Sequence, residues 1–102
     1  GAIVMIAGST SDKVDGGEVS ITAGEGEYGG NISLTAGEGV RDVGGLLELK
    51  SGEALEETGS IMILTEASSS QSGTISISTG DAGDVGSGSI SLETGSTSQG
   101  NS

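Results

Sequence analysis

Apolar and polar residues alternate in seven short stretches along the chain, and each stretch is the same eight-residue unit: Gly, any, apolar, any, apolar, any, small, Gly. The copies read GAIVMIAG from Gly1, GEVSITAG from Gly17, GNISLTAG from Gly30, GLLELKSG from Gly45, GSIMILTE from Gly59, GTISISTG from Gly73 and GSISLETG from Gly88. All open on glycine, and all but the fifth, which ends on Glu66, close on it. A period of two predicts a β-strand with one buried face. That face would hold Ile3 and Met5, Val19 and Ile21, Ile32 and Leu34, Leu47 and Leu49, Ile61 and Ile63, Ile75 and Ile77, and Ile90 and Leu92. A third, smaller inward position follows in each unit: Ala7, Ala23, Ala36, Ser51, Thr65, Thr79 and Thr94. Helix is confined to the short stretch EALEE, Glu53 to Glu57, which is too short to stand alone.

The spacing of the units selects an architecture. Successive units start 16, 13, 15, 14, 14 and 15 residues apart, whereas alternate units start 28 or 29 apart throughout. Long and short linkers compensate in pairs, as stacking demands if two strands make one turn of a solenoid. The pattern therefore predicts an all-β fold: a flattened two-sheet parallel β-solenoid of about three and a half rungs, 28–29 residues per rung, formed by residues 1–102 as a single repeat array. Units from Gly1, Gly30, Gly59 and Gly88 would stack in one sheet, and those from Gly17, Gly45 and Gly73 in the other. The alternative is an antiparallel β-meander or sandwich. Neither end carries a recognisable cap, since the last unit runs into STSQGNS; such ends predict a slice of a longer array or end-to-end stacking of subunits.

The polar face has a longer period. Val4 and Ile6 in the first unit and Met62 and Leu64 in the fifth are apolar at outward positions, and the two pairs lie two rungs apart. Between them stand Ser33 and Thr35. The four apolar residues predict a lateral contact between subunits or neighbours.

Composition narrows the chemistry. Gly, Ser and Thr make up 48 of 102 residues, Tyr28 is the one aromatic, and Pro, Cys, His, Trp and Phe are absent. Without Cys or His, disulfides, zinc sites, thiol nucleophiles and Ser-His-Asp triads have no residues to use. Fifteen acids against three bases give −12, which argues against a nucleic-acid surface. No apolar run reaches membrane-spanning length. Glycine-rich AGEGEYGG and AGEGVRDVGG lack the context of a phosphate loop and read as turns. GDAGDVGSG does not repeat as a calcium nonapeptide would. No catalytic residues or cofactor sites are expected, and the chain reads as a non-enzyme.

Three site readings remain. In the two-strand rung, one edge collects Glu25, Glu27, Glu53, Glu56, Glu57, Asp81 and Asp84 with no base among them, a set that calcium would bridge if it is more than a solvated edge. The opposite edge mixes Asp12, Asp15, Glu38 and Asp42 with Lys13 and Arg41. Asn31-Ile32-Ser33 is an N-glycosylation sequon. Outward Ser/Thr pairs such as Ser20/Thr22, Ser33/Thr35 and Ser76/Ser78 resemble an ice-binding ladder, but Glu48/Lys50 and Met62/Leu64 interrupt it.

The units GGEVSITAG, GGNISLTAG and SGSISLETG resemble the Gly/Ser/Thr-rich arrays of long surface or secreted proteins of diatoms and related algae. That resemblance covers the whole chain and implies an extracellular or cell-surface location and a structural or adhesive role. The expected function is a non-enzymatic structural repeat building a filament, appendage or wall layer. Its partner would be other copies of itself, end to end or lateral, with glycans as a further partner and neither nucleic acid nor membrane insertion. The alternative is a ligand-binding solenoid for ice, mineral, glycan or a divalent cation.

Overall fold

A computed structural model describes residues 1–11 and 13–98; Asp12 and the last four residues of the STSQGNS segment lie outside the described residues. The described chain bends at 11, 13 and 14, then at 26–28, 40–42, 55–56, 69–70, 83–85 and 98. One bend falls in each of the six linkers, and none falls inside an eight-residue unit. The EALEE stretch carries the bend at 55–56 and forms no helix. Glycine supplies the geometry at two of these linkers. Gly86 has φ of 132°, a region closed to most side chains. At Gly39, any Cβ would run into the carbonyl group of Val43, so the 38–44 linker folds back on itself only with glycine there.

The units do not pair into sheets. Among the described residues there is no helix and no β-strand, which overturns the all-β solenoid and equally the antiparallel meander or sandwich. Ile32 is not laddered to Ile3, nor Ile61 to Ile32. The described residues also form no hydrophobic core. Ile75 is the least exposed large apolar side chain, at 48 %. Nor does alternation sort the side chains into an inner and an outer face: Leu64, placed outward by the pattern, is 55 % exposed, and its inward neighbour Ile63 is 66 % exposed.

Physical chemistry accounts for the missing sheets. A strand is stable only when a ladder and a covered face offset the entropy of ordering it. Each unit brings two large apolar residues to its inward positions, and no aromatic residue stands in any unit to add a cross-strand pair. Glycine opens every unit and closes all but the fifth, which raises the ordering cost. Parallel pairing two units apart must in addition close a loop of a whole rung before the first ladder bond forms.

The described chain divides into two units of structure, Gly1–Leu49 and Lys50–Ser102. Within Gly1–Leu49 all three junctions between eight-residue units are closed by a backbone hydrogen bond, and within Lys50–Ser102 the first of three is.

Candidate functional site

Backbone geometry recurs where one eight-residue unit ends and the next begins. The N–H of Gly17 donates to the carbonyl oxygen of Gly8 at 2.8 Å, that of Gly30 to Gly24 at 2.9 Å, that of Gly45 to Gly37 at 2.8 Å and that of Gly59 to Gly52 at 3.0 Å. In each case the opening glycine of a unit is bonded to the closing glycine of the unit before it, so the intervening linker is a closed loop. The approach is tight: a Cβ on Gly17 would lie 3.0 Å from the Gly8 nitrogen and 3.2 Å from the Ala7 Cβ. A side chain at Gly17 therefore requires the junction to shift.

The seventh residue of the preceding unit grades the closure. Ala7, Ala23 and Ala36 stand at the three junctions of Gly1–Leu49, where the bonds are 2.8–2.9 Å, and these three alanines are half-buried while all other described residues are exposed. Ser51 stands at the 3.0 Å junction of Gly59. Thr65 and Thr79 stand at the last two, where neither Gly73 nor Gly88 makes the closing bond. There the nearest atoms to a Cβ on the opening glycine are threonine γ-methyls, at 3.6 Å for Gly73 and 3.9 Å for Gly88. Alanine lets the two backbones meet, and the γ-methyl of threonine occupies that space. Glycine as the closing residue is not the deciding feature, because Gly80 closes the sixth unit and its junction is still open. The alternation groups these six residues, with Thr94, as one small inward position; the signal that separates them is the run Ala, Ala, Ala, Ser, Thr, Thr along the chain.

The acidic edge has a different status. Glu25 and Glu27 belong to Gly1–Leu49, and Glu53, Glu56, Glu57, Asp81 and Asp84 to Lys50–Ser102. All seven are exposed. Among the described residues no group of three or more Asp or Glu side chains comes together as a metal ion would need. The rung that was to align them is absent. Val4, Ile6, Met62 and Leu64 are exposed, with Ile6 at 85 %. Asn31 and Ser33 are exposed too, and their side chains make no hydrogen bond among the described residues. Polar contacts between near neighbours include the Ser91 hydroxyl donating to Glu93 Oε1 at 2.9 Å and the Ser70 N–H donating to Ser68 Oγ at 3.2 Å. Neither unit of structure holds a pocket among its described residues, and no helix of the described chain is long and apolar enough to cross a membrane.

No protein-family model, curated protein or solved structure matches this chain.

Proposed function

We propose that the chain is a non-enzymatic structural repeat that buries its apolar positions against other copies of itself, in an extracellular filament, appendage or wall layer. One quantity carries the reading. The chain exposes 10621 Å² for a mass of 9.8 kDa. A folded globular protein of that mass exposes about 5,200 Å², and the fully unfolded chain about 14,200 Å². The excess over a globular fold is about 5,400 Å², several times the ~800 Å² that each partner buries in a standard interface. That surface is patterned: Ile, Val, Leu and Met recur at fixed positions in seven glycine-bounded units. An apolar series with no internal partner is what a second copy with the same spacing can cover, position by position.

The extracellular setting rests on the resemblance to algal surface arrays. The −12 charge limits assembly in dilute salt and keeps single chains soluble. Sedimentation velocity with electron microscopy across a concentration series tests the reading. The expected result is a concentration-dependent shift from expanded single chains to regular polymers. An expanded, monodisperse single chain at every concentration, salt and pH would overturn it, leaving a soluble low-complexity coil.

A further inference from the structure

We propose that Asn31 is an acceptor of N-linked oligosaccharide, taking the sugar from a lipid-pyrophosphate donor. The inference rests on the extracellular reading for its biological setting and on separate observations for its chemistry. Asn31-Ile32-Ser33 is the sole Asn-x-Ser/Thr triplet in the sequence, and no proline occupies its middle position. The second position of the unit is Ala2, Glu18, Leu46, Ser60, Thr74 or Ser89 in the other copies, so the acceptor belongs to the third unit alone.

The structure adds access and availability. Asn31, Ile32 and Ser33 are all exposed, and none takes part in a bend or strand. Among the described residues the side chains of Asn31 and Ser33 have no hydrogen-bond partner to give up. The triplet begins one residue beyond a closed junction: the Gly30 N–H donates to the Gly24 carbonyl at 2.9 Å, and the preceding bend is at 26–28. A Cβ on Gly30 would lie 3.2 Å from the Gly24 carbonyl oxygen, so a side chain there requires the junction to give, whereas Asn31 is exposed. An enzyme that must draw an asparagine amide into its own site has no sheet to dismantle here and no core to expose.

The transfer step balances without a further reactant. The Asn31 Nδ2 bonds to the anomeric carbon of the first sugar, and the bond from that carbon to the pyrophosphate oxygen breaks. The lipid pyrophosphate leaves with the bonding pair, and one Nδ2 proton passes to a base of the transferase. The Ser33 hydroxyl serves in recognition, which is why its position two residues on matters.

The test is to secrete the whole chain from a eukaryotic cell behind a supplied, cleavable leader and to measure its intact mass. The expected product is one oligosaccharide heavier than the bare chain. Asn31→Gln and Ser33→Ala should each remove that increment, and Ser33→Thr should keep or raise the occupied fraction. An amidase specific for N-linked sugars should release the glycan and leave Asp at position 31. Secretion of the unmodified chain, or an increment that survives Asn31→Gln, overturns the proposal; the latter would be sugar on a Ser or Thr hydroxyl. Because the leader is supplied, the result does not depend on where the chain normally resides. Failure of the extracellular reading would instead show as native chain inside its own cells while the leader-bearing chain is still modified.

Discussion

Gly17 and Gly8 meet through a 2.8 Å backbone hydrogen bond, and the approach is close enough that a methyl group on Gly17 would lie 3.2 Å from the methyl group of Ala7. Changing Gly17 to Ala is therefore expected to open the first junction. A net backbone hydrogen bond contributes about 0.5–1.5 kcal/mol, so the Gly17 amide should exchange about two- to tenfold faster with deuterium. The same change at Gly73, where the nearest atom stands at 3.6 Å and no closing bond exists, should leave exchange unaltered. Equal acceleration at both sites would mean that glycine acts there only through backbone entropy.

The residue at the seventh position should control closure in both directions. Thr79→Ala removes the γ-methyl beside Gly88 and is expected to slow exchange of the Gly88 amide. Ala23→Thr places a γ-methyl beside Gly30 and should speed exchange there by a similar factor of about two to ten. If Thr79→Ala and Ala23→Thr leave both amides unchanged, the sequence of the linker rather than side-chain volume at the seventh position decides closure.

Salt and acid should both favour assembly. At −12 each chain repels its copies, and the range of that repulsion falls from about 30 Å at 0.01 M salt to about 10 Å at 0.1 M. Light scattering should rise with sodium chloride and peak near the isoelectric point, about pH 4.1, where net charge vanishes. Polymers that dissolve as salt is added would show that ion pairs, rather than apolar contacts, join the chains.

Met62→Ser with Leu64→Ser should raise the concentration needed for assembly. Fully burying a Leu or Met side chain contributes about 1.5–3 kcal/mol, so partial burial of the two together is worth about 2 kcal/mol, or roughly thirtyfold in concentration. Leu55→Ser, in a linker bend, should have a much smaller effect. Matching shifts from both variants would remove any special role for the outward apolar pair, and with it for Val4 and Ile6.

Calcium is expected to produce the same calorimetric heat with the native chain as with Glu53, Glu56 and Glu57 changed to Gln. No three carboxylates among the described residues lie together, so each acts as a solvated charge. A saturable heat that the triple change abolishes would establish an ion site at that edge.

Alternation and spacing along the chain were enough to divide it into seven glycine-bounded units and six linkers, and the bends fall within those linkers. Composition alone removed cysteine and histidine chemistry. The Asn31 triplet could likewise be read directly, because covalent acceptor motifs are local. The fate of the alternating residues could not. Alternation states which side chains would share a face; it does not supply the partner that makes a strand worth its ordering entropy. Within one copy that partner is missing, so Ile75 stays 48 % exposed and Ile63 more exposed than Leu64. The tertiary structure also decided that end contacts form between adjacent units, at four of the six junctions, since a linker of five to eight residues closes at about 1 kcal/mol less entropic cost than a whole rung. And it separated alanine from threonine at the seventh position: by sequence both are small, but the junctions that follow Ala7, Ala23, Ala36 and Ser51 carry the closing bond and those that follow Thr65 and Thr79 do not.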